Sequence, residues 1–304
     1  MTNQQRTTQA KTSLTGLALA DAFGESYFGE TEVVLEHIRQ RTIPAKTTWE
    51  FTDDTVMAIP IYHQLRKYGK INQDELAKAF AANHDRDPNR GYGATARRIL
   101  REISQGGNWR GIAPSVFEGM GSMGNGASMR VGPIGAYWFD DLDRVKALAT
   151  QSAEVTHSNI EGITGAIAVA TAAALATRVK VYGEPTTPND FIEQVAAALP
   201  DTDTRAKVKK STAVPYHYHI ETVKTILGNG TRIMAQDTVP YAIWWAAHNL
   251  TDYEESLWKA VSVLGDRDTI CAIVGSITVM SSPAERVPAA WAASVESIET
   301  SPFT

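Results

Sequence analysis

The chain has one cysteine among its 304 residues, so no internal disulfide can form. Cys271 lies in the apolar stretch Thr269-Ile270-Cys271-Ala272-Ile273, which reads as a buried helix, and a single unpaired thiol fits a reducing cytoplasm best. Positive charge is in the minority as well. Twenty-nine Lys and Arg face 34 Asp and Glu, for a net charge of −5, which argues against nucleic acid or an anionic membrane as partner. Long apolar runs are absent: the longest uncharged stretch, 162–177, is mostly Ala, Gly and Thr and falls short of a bilayer span, so a core helix is expected there. Arg6 and Lys11 precede an apolar run that ends like an Ala-x-Ala cleavage site, but the run is minimal and is read as part of the fold. No fixed-period repeat points to a solenoid, and no heptad run points to a coiled-coil oligomer, so a monomer is the expectation.

Strand signals are scarce; only 31–38 and 216–220 are ambiguous. Helical periodicity is everywhere else. Leu14, Leu17, Ala18 and Asp21 share a face, as do Val56, Ile59, Tyr62 and His63, then Leu76, Ala79 and Phe80, then Ala96, Ile99, Leu100 and Ile103. The pattern continues through 147–154, 163–176, 192–199, 241–250, 257–263, 270–280 and 289–298. A 33.1 kDa chain with 43% hydrophobic residues should expose roughly 12,600 Å² when folded and can bury one large core. The expectation is all-α: a single compact multi-helix domain over 1–304, with 1–11 as a flexible tail. Polar connections are expected at 81–93, 106–126, 181–189 and 201–215. The last carries Arg205, Lys207, Lys209 and Lys210, and reads as a solvated surface loop or a substrate-rim contact.

Two acidic clusters stand out, Thr52-Asp53-Asp54-Thr55 and Asp266-Arg267-Asp268-Thr269, each just before a helical pattern. Either alone can be a helix N-cap. Together, two Asp and one Thr from each would offer six oxygen ligands without His or Cys, a donor set that suits hard cations such as Mg²⁺ or Mn²⁺. The clusters are more than 200 residues apart, so the fold must bring them together. Gly124-Asn125-Gly126-Ala127-Ser128-Met129-Arg130 is a Gly-rich loop, read either as a turn or as an anion cradle of backbone N–H groups. His157 follows Thr156 just before the Ala-rich stretch.

In this order the segments Gly16 to Gly24, Phe51 to Ala58, Arg90-Gly91-Tyr92-Gly93, Gly124 to Pro133, Thr156-His157 and Gly265 to Thr269 resemble the ADP-ribosylglycohydrolase family, typified by the dinitrogenase-reductase-activating glycohydrolase and the ADP-ribosylarginine hydrolases. The resemblance covers most of the chain. It implies an all-helical domain with two divalent cations, Mg²⁺ or Mn²⁺, that hydrolyses the bond between ADP-ribose and a modified side chain, arginine first among them. Carried onto matching positions, it implies Thr52, Asp53, Asp54, Asp266, Asp268 and Thr269 as metal ligands. Gly124, Asn125, Gly126, Ser128 and His157 would line the substrate pocket, and Asp21 would orient the centre. This chain departs from the family pattern in two places. Leu264 stands where many members have a first glycine, and Phe28 stands seven residues after Asp21, where several members have a functional Glu.

Hydrolysis of an N-glycosidic bond passes through an oxocarbenium-like state and needs a group to take a proton from water or give one to the leaving group. Asp53 and Asp54 are the candidates in the metal shell, and Asp87, before Arg90-Gly91-Tyr92-Gly93, is a further one. Trp49, Phe51, Tyr92 and Trp109 are read as core packing or as walls of the pocket. The expected partner is an ADP-ribosylated protein. The competing readings are an immunity or binding protein that recognises ADP-ribose or blocks an ADP-ribosyltransferase toxin, and a Mg²⁺ phosphoesterase acting on a nucleotide.

Overall fold

A computed structural model describes residues 1–44 and 48–304. Among the described residues every regular element is a helix, and extended pairing is limited to two isolated bridges, Trp49 with Val295 and Gly124 with Met234. Sixteen α-helices run α1 (Asn3–Glu25), α2 (Thr31–Gln40), α3 (Asp53–Tyr68), α4 (Gln73–Arg86), α5 (Ala94–Ser104), α6 (Trp109–Ser115), α7 (Gly132–Tyr137) and α8 (Leu142–Glu154). They continue as α9 (Ile160–Tyr182), α10 (Pro188–Ala197), α11 (Asp203–Lys210), α12 (Ile220–Leu227), α13 (Ala235–His248), α14 (Tyr253–Val261), α15 (Arg267–Thr278) and α16 (Ala289–Ser294). The accessible surface is 12306 Å², close to the area expected for one domain of this mass, and one hydrophobic cluster extends from Ala10 to Phe303.

α1, α9, α13 and α15 form the centre. α1 and α15 approach closely because small residues face each other: a Cβ on Gly24 would lie 2.5 Å from the Arg267 carbonyl oxygen, and one on Gly275 would lie 2.3 Å from Ala20 Cβ. That contact carries Asp21 toward the start of α15. α9 is 23 residues long and apolar enough by composition to cross a membrane, but 83% of its most apolar window is buried by the surrounding helices, as in a core helix.

Several expectations are corrected. Residues 3–11 are not a tail: Thr2 and Gln5 form a capping box that starts α1 at Asn3, and Arg6 pairs with Asp140 at 2.6 Å. Residues 31–38 lie in α2, and 216–220 form a turn leading into α12. The segment 201–215 is not a loop: α11 exposes Lys209 and Lys210, seats Lys207 Nζ on the Gln236 carbonyl at 3.0 Å, and buries Thr204 and Val208 on its other face. α6 interrupts 106–126, and α4 extends to Arg86.

Candidate active site

Both acidic clusters sit at helix N-termini, for the same local reason. Thr52 is the N-cap of α3, with its hydroxyl accepting from the Asp54 N–H, and Asp53 and Asp54 occupy the first turn. Asp266 is the N-cap residue of α15, and Asp268 lies in its first turn. The positive end of each helix favours carboxylates there. The fold brings the two N-termini together: Thr269 Oγ1 lies 3.5 Å from Asp54 Oδ2, across 215 residues of sequence.

Asp21 on α1 is the hub beneath them. It is fully buried, and its two oxygens accept from the Thr52 N–H at 2.9 Å, the Thr52 hydroxyl at 2.8 Å, the Thr55 N–H at 3.1 Å and the Thr55 hydroxyl at 2.6 Å. With its hydroxyl proton committed to Asp21, Thr52 has no second proton for Asp54 Oδ2, which lies 3.1 Å away. The Asp53 N–H donates to the Arg90 carbonyl at 2.6 Å, and Gly91, at φ +90°, packs so closely that a Cβ there would lie 3.1 Å from Asp53 Oδ1. Asn125 ties the second cluster to the glycine-rich loop through a 2.5 Å bond from Nδ2 to Asp266 Oδ2, and its Nδ2 also donates to Thr238 Oγ1 at 2.9 Å.

Negative charge accumulates here with little to balance it. Burial first, then repulsion from Asp268 and the other acids, pushes Asp53 well above the usual carboxylate range. Burial, then Asp21, does the same to Asp54; burial, then Asp268, does it to Asp266. Asp21 rises to about 7, mainly by burial, against the opposing pull of its threonine hydrogen bonds. Asp54 Oδ1 and Asp268 Oδ1 are buried with no hydrogen-bond partner. No Lys or Arg forms an ion pair with any of the five acids among the described residues. Orphaned carboxylate oxygens beside threonine hydroxyls fit divalent cations that prefer oxygen. Among the described residues no three His, Cys, Asp or Glu side chains are arranged around one point as they stand.

The glycine-rich loop lies beside His157: a Cβ on Gly124 would be 3.2 Å from its Nε2, and one on Gly126 would be 3.2 Å from its Cε1. Burial and the nearby Arg130 hold His157 down at about 3, so the imidazole is neutral at physiological pH. Arg130 is fully buried among Met57, Ser152, Thr156 and Phe80, and burial lowers it to about 9 while the charge of Asp53 pulls it up.

Other sequence candidates lie elsewhere. Ser128 is buried against α9, where a Cβ on Gly165 would meet its Oγ at 2.4 Å, so it faces the helix rather than an open pocket. Asp87 is outside the acid cluster. Its carboxylate accepts from Arg90 Nε at 2.9 Å and from the Asn89 N–H at 3.1 Å, which clamps the loop that holds Asp53. Trp49 packs with Phe23 and Trp291, Phe51 with Phe303 and Tyr92 with His84, while Trp109 donates to Asp74; all four are buried in packing. Phe28 is about half exposed, with the Arg267 guanidinium 4.9 Å over its ring, and Arg267 donates to the carbonyls of Tyr27 and Leu264 instead of to an acid. Sequence reasoning named Thr55 in the first cluster without giving it a role, and missed Thr238, Arg130's burial and Glu296, which pairs with Arg90 and accepts from the Phe51 N–H at 2.9 Å. None of these last three carried a local signal.

Comparison with known proteins places this geometry. The profile of the family described as ADP-ribosylglycohydrolase matches residues 2–301. The chain is 28% identical to the ADP-ribosylhydrolase ARH3 of Gallus gallus over 94% of its length and 88% of that protein, and 28% identical to ARH3 of Homo sapiens over the same shares. It is 29% identical to an uncharacterized protein of Archaeoglobus fulgidus over 86% of this chain and 84% of that one. Among solved structures, an ADP-ribosylglycohydrolase-related protein complex superimposes with a TM-score of 0.66 at 21% identity, covering 96% of this chain and 94% of the other, a likeness of fold. The match from residue 2 to residue 301 decides the matter: the chain belongs to the ADP-ribosylglycohydrolase family and is a glycosyl-hydrolysing enzyme.

Proposed function

We propose that this enzyme removes ADP-ribose from a modified protein side chain, using divalent cations, Mg²⁺ or Mn²⁺, held by Thr52, Asp53, Asp54, Asp266, Asp268 and Thr269. The observation that carries the reading is the cluster of five aspartates, Asp21, Asp53 and Asp54 buried and Asp266 and Asp268 half-buried beside them, in which Asp54 and Asp268 each keep an oxygen with no partner. Relatives bearing the name ADP-ribosylhydrolase ARH3 support the substrate class. When bound, the cations neutralise the aspartates, grip sugar hydroxyls and lower the pKa of a water at the anomeric face.

The chain's own groups have distinct tasks. Asp21 fixes Thr52 and Thr55, which keeps the start of α3 from rotating away from α15. Asp53 and Asp54 supply the carboxylates that the cations would neutralise, and the role of accepting the proton of the attacking water is assigned to Asp54, whose Oδ1 has no protein partner. Asn125 couples the loop that receives the substrate to Asp266, so Gly124, Gly126 and His157 stay in register with the acids. A Cβ at Gly124 or Gly126 would press on His157 at 3.2 Å, so the two glycines let the loop backbone lie close against the imidazole.

The linkage proposed first is ADP-ribosylated arginine. Incubating the enzyme with arginine-linked and serine-linked protein substrates in Mn²⁺, with mass spectrometry of the products, tests the reading. Intact ADP-ribose from either substrate supports it and identifies the linkage; AMP, orthophosphate or no product from both would overturn it.

A further inference from the structure

We propose that Arg130 and Thr156 are positioning residues that fix His157 as the Nε2–H tautomer, presenting one N–H donor to an oxygen of the substrate's diphosphate or ribose; the ligand's identity rests on the function proposed above, the tautomer does not. The argument is one of donors and acceptors. A guanidinium has no lone pair to offer, so the 2.9 Å contact from Arg130 Nη2 to Thr156 Oγ1 is donation by the arginine. The threonine hydroxyl then has one proton to place. Among the described residues the acceptor within reach is His157 Nδ1, at 2.7 Å. Nδ1 therefore accepts, and the ring proton resides on Nε2.

The surroundings hold this arrangement rigid. Arg130 and Thr156 are both fully buried, and Arg130 is fastened independently by a 2.7 Å bond to the Ser152 carbonyl and by stacking 4.5 Å over Phe80. His157 cannot swing away, because α9 closes over its other side at Gly162, where a Cβ would lie 3.2 Å from the histidine Cβ. Nε2 points instead toward Gly124 and Gly126, and no protein acceptor within hydrogen-bond distance meets it among the described residues. An N–H donor without a protein partner is available to a ligand or water, and a ligand oxygen beside the glycine loop would take it. The opposite tautomer would leave the Thr156 proton without an acceptor and turn a lone pair toward an anionic ligand.

The experiment is ¹⁵N NMR of the histidine ring nitrogens in the full-length protein at neutral pH, with His157 assigned by a His157→Gln variant, alongside calorimetric titration with ADP-ribose. Expected for wild type are a pyridine-type Nδ1 and a pyrrole-type Nε2. Thr156→Ser should retain both. Thr156→Val, nearly the same shape, should lose the hydrogen-bond shift at Nδ1 and weaken ADP-ribose about five-fold, with KM rising more than kcat falls, as expected for one net hydrogen bond. A pyrrole-type Nδ1 in wild type, or a Thr156→Val protein with wild-type Nδ1 shift and affinity, would overturn the proposal. Because the tautomer is read in the free protein, failure of ADP-ribose as ligand would strike only the proposed function.

Discussion

Two buried regions of this enzyme carry charge, and they treat it in opposite ways. Arg130 is a single cation surrounded by neutral groups that complement it: the Ser152 carbonyl, the Thr156 hydroxyl and the Phe80 ring. The aspartate cluster is several anions with insufficient complement, two of its oxygens unpartnered and three of its carboxyls pushed well above their ordinary range. The first region is held mainly by the protein's own neutral groups: both Nη atoms of Arg130 have partners, while its Nε has none and burial lowers the group to about 9. The second, in the function proposed above, is completed by divalent cations, and its cluster of raised carboxyls marks a candidate binding site.

The comparison can be broken most severely at Asp54. Asp54→Asn should reduce ADP-ribose release on the order of 10²–10³-fold, as expected for losing an electrostatic group. In EDTA its melting temperature should equal or exceed that of wild type, because one of the repelling anions is gone. A fall in stability there would mean that Asp54 is a structural group. Arg130→Met should behave in reverse, losing about 1–3 kcal/mol in urea unfolding because it strands the Ser152 carbonyl and takes one donor from the Thr156 hydroxyl. Gly24→Ala, whose new methyl group would press on the Arg267 carbonyl, should cost about 1–3 kcal/mol and weaken Mn²⁺ binding by moving α15 away from α1.

Acid titration sharpens the same contrast. Asp21 ionises at about 7 in the folded protein against 3.8 as the reference. A raised carboxyl pKa gives a stabilisation that is whole below pH 3.8 and is lost as pH climbs through 7, so this group's contribution to the melting temperature in EDTA should decline across that window. Saturating Mn²⁺ should remove most of the decline, and the stabilisation by Mn²⁺ should be larger at pH 8 than at pH 5. The smallest effect is expected at Asp87→Ala, which breaks a partly exposed ion pair: stability should change by less than about 1 kcal/mol and the release rate should stay near that of wild type.

The acidic clusters were legible because a cap and its first turn are local: Thr52, Asp53 and Asp54 stand before an apolar period, as do Asp266 and Asp268. The all-helical class was legible for the same reason. Amphipathic patterns failed where polarity was read without the other face. α11 exposes Lys209 and Lys210, but Thr204, Val208 and the bond from Lys207 to the Gln236 carbonyl pin it to the body, and α1 begins at Asn3 because Thr2 caps it. Relations across the chain had no local pattern to read. Glu296 reaching Arg90, Thr238 meeting Asn125 and Ser128 turned onto Gly165 follow from how the helices pack. Asp87 illustrates the limit: its place beside Arg90-Gly91-Tyr92-Gly93 is real, yet its oxygens are already taken.

The most direct test of the central claim is titration of EDTA-stripped enzyme with Mn²⁺ in buffers of differing protonation enthalpy, followed by the release assay on the same sample. The account predicts that Mn²⁺ binds with release of protons, because the aspartates are partly protonated beforehand, and that hydrolysis absent from the stripped enzyme returns with it. Full hydrolysis in EDTA, or binding that survives Asp54→Asn combined with Asp268→Asn, would contradict it.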